Sequence, residues 1–582
     1  MKIKWQLGSL FLGLLAAITF SAQAQGPQPE SGSGWQDKQS IEGTRFMVAA
    51  ANPHAVRAGY DVLKNGGTAV DAAIAVQMVL NLVEPQSSGI GGGAFLLYWD
   101  AQSKTLHTID GRETAPASAT PERFLEPGGA KMKFSKAVVG GQSVGVPGTL
   151  RLLEMAHKQF GKTSWKVLFD PAIELAKNGF HISPRLAGAI DGAQKRGLDK
   201  FPAASAYFFG TDGAPLPQGS LLKNLAFAKT LRAIAAGGAT AFYTGEIAQS
   251  IVAAVEETSL LPNNITLLDL ENYEAKMRAP VCVDYRGYNV CGMGPPTSGG
   301  LTVGQILGQL ALYDVKAIGW NAEFVHLFAE ASKLAYADRG LYMADADYVP
   351  VPVKGLVDPD YLKSRARNIN RQQSSGKAKP GKPPSKQKMR WAPSINPNRA
   401  GTSHIVIRDQ YGNALSMTTT IESGFGSRVM VRGFLLNNEL TDFDRQPERD
   451  GRLVANRVEG GKRPRSSMAP TVVFKNGEPY LLIGSPGGSR IINYVAKSIV
   501  AILDWEMDPQ DALETGHFLH RNGKALDLER GTTAAAFAEQ LEAMGHTIAT
   551  RDLNSGLHAI LIKNGKLTGA ADPRREGIAR GE

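Results

Sequence analysis

One segment of this sequence divides the chain and restricts how it can fold. Residues 370–400 contain eight Lys or Arg residues, no acidic residue, and many Pro, Ser and Gln residues. This composition predicts a solvated loop or linker. Before it, from about residue 140, the pattern is helix-rich, whereas Ser403–Arg408 after it alternates and is β-branched. The 582 residues suffice for two domains or for one large layered domain.

The same segment explains why the protein is basic. It supplies eight of the ten excess positive charges. The sequence has no recognisable nucleic-acid-binding fold and no basic stripe with interleaved aromatic residues. We therefore expect no nucleic-acid partner.

The first 24 residues resemble a signal peptide. Lys2 and Lys4 precede an apolar run from Leu7 to Phe20, and Ala22-Gln23-Ala24 offers small residues for cleavage. An uncleaved anchor is the alternative, but the run is short for a membrane span, which needs about 20 residues. We expect a periplasmic or secreted protein with no stable membrane span.

Only two cysteines are present, Cys282 and Cys291. An oxidising compartment permits a disulfide between them, and two strands of a hairpin would bring them together. The sequence does not establish that geometry. Two cysteines at this spacing do not make a metal site, and no metal ligand set is predicted.

The periodicity predicts a mixture of strands and helices. We expect a short strand or turn at Met47–Ala51, one helical segment from Pro53 to Leu80, and a break at Gly89–Gly93. Further predicted helices are 225–236, 248–257, 301–313, 321–337, 489–505 and 533–544, and predicted strands are 94–99, 106–110, 403–408, 414–421, 471–474, 480–484 and 556–563. Hairpins occur on both sides of the basic segment without βαβ regularity. The pattern therefore predicts an α+β fold, and a layered sheet sandwich covered by helices is compatible with it.

Thr402 is the first residue with a candidate chemical role. It follows Gly401 at the head of a predicted strand, directly after the basic segment. A threonine hydroxyl needs a neighbouring base, and the free α-amino group of an N-terminal Thr can serve as one. This role requires cleavage of the Gly401–Thr402 bond. Without other features, a structural Thr remains the alternative.

Gly487 and Gly488 lie between a predicted strand and a predicted helix. Consecutive glycine amides at a helix N-terminus suit a phosphate or a developing oxyanion. The segment lacks the Lys-Ser/Thr ending of a P-loop, and a plain structural turn is the alternative.

Four other positions complete a possible amino-acid site. Arg112 can bind a carboxylate, Glu439 and Asp442 can hold an ammonium group, and the Ser466-Ser467 pair can bind a carboxylate or cap a helix. Taken singly, a surface Arg and a solvated loop are the alternatives. Taken together, they indicate a site for an amino-acid head group beside Thr402.

From about residue 45 to its end, the sequence resembles the gamma-glutamyltransferase family. The motifs that carry the resemblance are Asn65–Ala73, Gly89–Gly93, Asp284–Tyr288, Pro295–Gly300, Ala335–Arg339, Lys462–Met468 and Gly569–Arg575. The resemblance implies the N-terminal-nucleophile fold, with two central antiparallel sheets between helical layers. It also implies self-cleavage into a large subunit, residues 25–401, and a small subunit, residues 402–582.

The resemblance implies a role for each candidate. Thr402 is the expected nucleophile and new N-terminus, and Thr420 is expected to hydrogen-bond it. Arg112, with Ser466 and Ser467, is expected to hold the substrate α-carboxylate. The residues expected at the α-amino group are Glu439 and Asp442, and those expected at the oxyanion are Gly487 and Gly488.

The implied reaction cleaves γ-glutamyl amides such as glutathione through a glutamyl ester on Thr402. Water, an amino acid or a dipeptide then takes the glutamyl group. No cofactor or metal is implied.

Two positions depart from the family pattern. Glu422 stands where many members have an asparagine near the α-amino site, and its carboxylate would either strengthen ammonium binding or change the pH range of that binding. Asp444–Arg465 is short and has no aromatic residue, whereas many members have a lid with an aromatic gate there. A more open pocket that admits larger donors is our hypothesis.

Two rival functions stay open at this point. A cephalosporin acylase of the same fold cleaves a glutaryl amide, which lacks the α-amino group that Glu439 and Asp442 would bind. A non-catalytic periplasmic binder of amino acids or peptides would need neither Thr402 nor chain cleavage.

Overall fold

A computed structural model describes residues 32–386, 390–395 and 401–582. The predicted signal peptide, residues 1–24, lies outside the described residues. None of the helices in the described ranges is both long enough and apolar enough to cross a membrane.

Strands and helices occur in runs along the described chain, with a run of helices at residues 299–366 and a run of strands at residues 401–484. The strands are β1 (Ile41–Gly43), β2 (Met47–Ala50), β3 (Gly93–Asp100), β4 (Thr105–Gly111), β5 (Phe180–His181), β6 (Leu221–Leu222), β7 (Lys276–Arg278), β8 (Val281–Tyr285), β9 (Tyr288–Gly292), β10 (Gly401–Arg408), β11 (Ala414–Glu422), β12 (Met430–Val431), β13 (Phe434–Leu435), β14 (Glu448–Arg449), β15 (Arg452–Leu453), β16 (Thr471–Lys475), β17 (Glu478–Gly484), β18 (Phe518–Leu519), β19 (Leu526–Glu529), β20 (Ile548–Arg551), β21 (His558–Lys563), β22 (Lys566–Ala571) and β23 (Ile578–Gly581). The α-helices are α1 (Pro53–Lys64), α2 (Ala69–Val83), α3 (Phe134–Ala137), α4 (Thr149–Phe160), α5 (Asp170–Asn178), α6 (Pro184–Gln194), α7 (Pro202–Phe208), α8 (Leu225–Gly237), α9 (Thr240–Tyr243), α10 (Gly245–Thr258), α11 (Leu267–Glu271), α12 (Gly299–Leu310), α13 (Val315–Ile318), α14 (Ala322–Tyr342), α15 (Val353–Leu356), α16 (Pro359–Ala366), α17 (Ile491–Leu503), α18 (Pro509–Glu514) and α19 (Ala538–Ala543).

Two seven-stranded antiparallel sheets form the centre of the molecule. Their strand orders are β1-β22-β21-β17-β16-β9-β8 and β23-β2-β10-β11-β3-β4-β7. Each sheet combines strands from before and after residues 370–400. The two parts of the chain therefore share one layered structure, and of the two organisations left open by length the single layered domain is the one observed.

Alternation along the strands builds a core on each face of the second sheet. On β10, Ile405 and Ile407 join the core that contains α2, while Val406 joins the core that contains α17. Successive side chains on a strand point to opposite faces, so one buried strand serves both cores. The predicted α+β sandwich, with sheets between helical layers, is confirmed.

The helical segment predicted from Pro53 to Leu80 is two helices. The chain breaks at Asn65–Gly67, where Gly66 has a φ of 88°, and Thr68 with Asp71 forms a capping box that starts α2. A positive φ suits glycine because it has no Cβ. The periodicity continued through this break because both helices bury their apolar faces in the same core.

The glycine-rich segment after α2 lets the chain pass close to β11. A Cβ on Gly92 would lie 2.0 Å from the carbonyl oxygen of Thr420, and a Cβ on Gly91 would lie 2.1 Å from that of Leu435. Both approaches exclude any side chain. Gly92 therefore lets the loop at 89–93 pass against β11, which carries Thr420, and Gly91 lets it pass against β13.

Cys282 and Cys291 form a disulfide across paired positions of β8 and β9. Their Cα atoms are 4.0 Å apart. The hairpin arrangement that the sequence left open is therefore the one adopted.

Candidate active site

The β10–β11 hairpin places the predicted nucleophile inside the molecule. Thr402 pairs with Thr420, and a register shift separates this pair from the Gly401–Glu422 pair. Both threonines are buried. β10 lies between β2 and β11, and its register with β2 runs from Ile405 to Arg408, so Thr402 lies at the end of the strand that pairs with β11.

The hydroxyl of Thr420 contacts the peptide bond that is predicted to be cut. It donates to the carbonyl oxygen of Gly401 and accepts from the backbone N–H of Glu422 at 2.8 Å. A hydroxyl has a single proton to donate. Since the Glu422 N–H occupies an acceptor position, that proton is directed to the Gly401 carbonyl.

A glycine turn lies on the other side of the cleft. Gly487 and Gly488 have φ values of 132° and 60°, and a short 3₁₀ turn at Gly488–Arg490 leads into α17. A Cβ at Gly487 would also lie 2.9 Å from the Tyr494 ring. The backbone therefore requires glycine here, at the N-terminal end of a helix, where an anion is favoured.

Arg112 is the centre of a buried ion-pair cluster. It directly contacts the carboxylate of Glu439, and its Nη2 donates to Asp442 at 2.6 Å. Its Nε donates to the carbonyl of Pro464 at 3.1 Å, and Glu113 lies 3.7 Å from its Nη1. The predicted carboxylate-binding and ammonium-binding residues are thus in contact with one another.

Acidic groups outnumber basic ones around this arginine. Glu113, Glu422, Glu439 and Asp442 are all buried near Arg112. Burial is the largest cause that raises the pKa of Glu422 and Glu439 well above the ordinary value, and it raises that of Glu113 to about 7. The site therefore favours an additional positive charge, because one would offset the carboxylates' lost hydration.

The serine pair lies on the wall between the cleft and the helices behind it. Ser466 Oγ accepts from the backbone N–H of Met468 at 3.1 Å, and Ser467 Oγ accepts from Arg339 Nη2 at 2.6 Å. Arg339 also donates through Nε to Ser298 Oγ at 2.8 Å. Neither serine caps a helix, so that interpretation is wrong.

One small cleft brings most of the predicted residues together. It is lined by Arg112, Thr402, Thr420, Glu439, Asp442, Ser466, Ser467, Met468, Gly488 and Ile491. Of the predicted set, Gly401, Glu422 and Gly487 adjoin this lining without being part of it. Arg112 is buried rather than on the surface, and Glu439–Asp442 is a buried 3₁₀ turn rather than a solvated loop.

Sequence reasoning missed four residues around this cleft. Glu113 adjoins Arg112, Arg339 holds Ser467, and Met468 and Ile491 supply apolar lining. Arg339 and Met468 end two of the motifs noted above, and Glu113 directly follows Arg112. Nothing in the spacing indicates which way their side chains point.

Among the described residues, one cluster has metal-ligand geometry. The ligand atoms of His326, Glu330 and His546 lie within 4.8 Å of one another. Protein groups already engage them: His326 contacts His546 and the carbonyl of Asn370, each at 2.7 Å, and Glu330 pairs with Lys333. The cluster is satisfied as a structural network and carries no role in the cleft.

The fold and the cleft define a class, the N-terminal-nucleophile hydrolases. The solved structure of a cephalosporin acylase from Bacillus halodurans superimposes with a TM-score of 0.81 at 27% identity, covering 97% of this chain and 99% of that one.

Sequence comparison narrows the class to a family. The model of the gamma-glutamyltranspeptidase family matches residues 55–581. The glutathione hydrolase proenzyme of Bacillus subtilis strain 168 is 39% identical over 100% of this chain and 99% of its own length. The proenzyme of the same name from Escherichia coli K12 is 36% identical over 96% of each chain. The chain belongs to the gamma-glutamyltranspeptidase family.

Proposed function

We propose that this protein is a self-processing gamma-glutamyltransferase and glutathione hydrolase with Thr402 as its nucleophile. The observation that carries the proposal is a single cleft in which Thr402 faces one buried arginine and an excess of buried carboxyl groups. That arrangement suits an acyl group carrying both an α-carboxylate and an α-ammonium group.

Self-cleavage is the first step of the proposal. The Thr402 hydroxyl attacks the Gly401 carbonyl carbon, the C–N bond breaks as the hydroxyl proton passes to the released nitrogen, and the acyl group moves to oxygen as an ester. Water then hydrolyses the ester, which leaves a Gly401 carboxylate and a free Thr402 amine. The Thr420 hydroxyl supports this step because its hydrogen bond to the Gly401 carbonyl polarises that bond. The products would be residues 25–401 and 402–582.

Substrate binding would exchange partners within the Arg112 cluster. The α-carboxylate of the donor would pair with Arg112, and its α-ammonium group would pair with Asp442 and Glu439. Each of these buried charges would still face an opposite charge after the exchange, since a zwitterion brings one charge of each sign. The buried charges would therefore keep partners throughout, which avoids the large cost of an unpaired buried charge.

Acyl transfer would follow by the same bond changes as any amide cleavage by a hydroxyl nucleophile. The Thr402 hydroxyl attacks the γ-carbonyl carbon while the Thr402 amine takes its proton. The Gly487 and Gly488 amides hold the oxyanion. The C–N bond breaks, the amine returns the proton to the leaving nitrogen, and a glutamyl ester remains. Water, an amino acid or a dipeptide then attacks that ester.

The acylase structure makes glutaryl amide cleavage the second candidate. A glutaryl group has a carboxylate for Arg112 but no ammonium group for the surrounding carboxyls. It would leave Glu439 and Asp442 sharing Arg112 with an additional carboxylate, which is electrostatically unfavourable. We therefore favour the glutamyl donor.

Two further proposals concern the setting of the enzyme. We propose export to the periplasm or beyond, on the signal-like residues 1–24. We also propose that the short segment 444–465, which forms only the small β14–β15 hairpin, leaves the pocket open to larger donors.

The test compares the wild type with Thr402→Ala and uses Ser403→Ala as the matched control. The Ser403 side chain is buried on the same strand, one residue from the proposed nucleophile, which makes it the closest matched site. We expect the wild type and Ser403→Ala to split into two chains on a denaturing gel and to release p-nitroaniline from its γ-glutamyl derivative.

The nucleophile variant should differ in both readouts. Thr402→Ala should stay a single chain and release no p-nitroaniline. Release by both Thr402→Ala and the wild type would contradict the assignment of the nucleophile, and release by neither would contradict the proposed function.

A further inference from the structure

A second cavity lies beside the catalytic cleft and is strongly basic. Six Lys or Arg side chains and one carboxylate line it. The basic residues are Arg339, Lys377, Arg465, Arg521, Lys524 and Arg551, and the acidic residue is Asp527. Asp527 accepts from Arg551 at 2.7 Å and lies 3.6 Å from Arg521, so one carboxylate is shared between two of the six cations.

Two connections join this cavity to the cleft. Arg339 lines the cavity and donates to Ser467, which lines the cleft. Ser489 lines the cavity and directly follows Gly488 of the cleft, and Arg521 donates to its Oγ at 2.9 Å. The two spaces therefore share a wall, and the expected oxyanion site lies at that wall.

The deepest two arginines have no carboxylate partner among the described ion pairs. Arg339 donates to the hydroxyls of Ser298 and Ser467. Arg465 donates to the carbonyl of Arg339 at 3.2 Å and to Ser394 at 3.3 Å, while its Nε has no hydrogen-bond partner in the described structure. Burial, with Arg339 nearby, lowers the pKa of Arg465 to about 9. Nearby Asp444 and Asp442 offset part of the cost of burying Arg465, and a bound anion would offset more of it.

We propose that this basic cavity is a subsite for a free carboxylate on the leaving group of the donor and on the acceptor. The inference rests on the proposed function and deepens it. The acceptor amine attacks the glutamyl ester from the position that the leaving amine has vacated, so one subsite serves both. Its ligands are amino acids or peptides with an unblocked carboxyl end.

Part of the cavity wall lies close in sequence to the predicted cleavage site, so cleavage there would allow that part of the wall to move. Pro393, Ser394 and Ile395 form part of the lining, just upstream of the predicted cleavage site. The basic side chains other than Lys377 come from helices, strands and loops of the folded body, so they stay in place when that segment moves. A carboxylate could then replace Ser394 as the partner of Arg465.

The test uses two donors that differ only in one carboxylate: γ-glutamyl-glycylglycine and its carboxyl-terminal amide. Glutamate release gives kcat/KM for each with the processed protein, and their ratio measures selectivity for the carboxylate. Arg521→Gln is the test variant, because its side chain is 28% exposed and its loss creates no buried unpaired acid. We expect the selectivity ratio to fall about tenfold, the size of a lost charge-assisted contact near the surface.

Two further variants make the result specific. Arg521→Lys keeps the charge and should retain most of the selectivity. Arg530→Gln removes an exposed arginine that pairs with Asp552 outside the cavity and should leave the ratio unchanged. A ratio that stays within twofold of the wild-type value in Arg521→Gln would overturn the subsite while leaving the glutamyl activity intact. Failure of the wild type to release glutamate from either donor would contradict the proposed function and the inference with it.

Discussion

The two sides of the cleft carry opposite charge. On the acyl side, four buried carboxyl groups surround Arg112, whereas six basic side chains and a single carboxylate line the cavity on the other side. Thr402 belongs to the cleft on the acidic side, and Gly488 with Ser489 forms the boundary.

This difference explains how one site can orient a γ-glutamyl peptide. The donor carries an α-ammonium and an α-carboxylate group at its glutamyl end and a carboxylate alone at the other end. Because only the glutamyl end carries a positive charge, the charges of the two sides favour a single direction of binding. The acidic side is buried and needs an exchange of ion pairs, whereas the basic side is partly exposed. We therefore expect changes on the acidic side to be the more severe.

The largest effect is expected from Arg112→Gln. The change removes the cation shared by Glu439 and Asp442 and leaves those buried carboxyls without it. We expect kcat/KM for the γ-glutamyl anilide to fall by about 1000-fold. Arg112→Lys keeps the charge without the paired geometry and should lose about 100-fold.

Circular dichroism and the gel assay for processing would separate this loss from misfolding. Arg530→Gln serves again as the control. A loss of less than tenfold in a folded, processed Arg112→Gln protein would show that Arg112 does not hold the donor.

A smaller effect is expected from Glu422→Asn. Burial raises the pKa of Glu422 well above its ordinary value, with a further contribution from Asp442, so the carboxyl is protonated at low pH and ionises as pH rises. Only the ionised form attracts the donor ammonium group. The wild-type to variant ratio of kcat/KM should therefore increase with pH, by up to about tenfold.

The Thr402 amine and the substrate titrate in the same way with both proteins. Their contribution to the pH dependence of kcat/KM therefore cancels in the ratio of wild type to variant. Glu422 has a φ of 76°, a conformation that Asn tolerates better than most residues, so the variant should fold. A ratio that is flat with pH would contradict a role for the Glu422 charge.

Added salt should weaken carboxylate binding on the partly exposed basic side more than donor binding on the buried acidic side. Raising NaCl from about 0.05 M to 0.5 M shortens the screening length to less than half. The basic side includes partly exposed Arg521 and Arg551, so the selectivity for γ-glutamyl-glycylglycine over its amide should fall about threefold. Hydrolysis of the amide measures the acidic side alone and should change less. If kcat/KM for γ-glutamyl-glycylglycine and for its amide changed equally with salt, the proposed difference in exposure between the two sides would be contradicted.

The smallest effect concerns stability. Burial raises the pKa of Glu113 from 4.5 to about 7, so the folded state binds this proton more tightly than the unfolded state. That stabilisation is complete below about pH 4.5 and is lost as pH rises through about 7. The Glu113→Gln variant does not lose this stabilisation as pH rises. The Tm of the variant minus the Tm of the wild type should therefore be about 2 °C larger at pH 8 than at pH 5. A Tm difference that is independent of pH in scanning calorimetry would contradict the assignment.

The sequence predicted the fold best where local pattern and burial agree. The strands predicted at 403–408 and 414–421 are confirmed as β10 and β11, and Asp409–Asn413 forms the turn between them. The break between α1 and α2 was missed because apolar spacing continues across a glycine turn. Local pattern has no information on which distant elements meet.

The candidate site shows the same limit. Resemblance and chemistry brought Thr402, Arg112 and Asp442 together in advance, and their catalytic roles stay predictions. The basic cavity could not be predicted, because Arg339, Arg465 and Arg521 are far apart in sequence and each alone resembles a surface charge. Their shared position depends on how α14 packs near the chain before β16 and after β18.

The most direct test of the central claim compares γ-glutamyl and glutaryl p-nitroanilides, which differ only in the α-amino group. The processed wild type should favour the glutamyl compound by at least about 100-fold in kcat/KM, the size of a buried charged contact, and Asp442→Asn should narrow that preference. Equal rates, or a preference for the glutaryl compound, would contradict an acidic pocket built for an ammonium group.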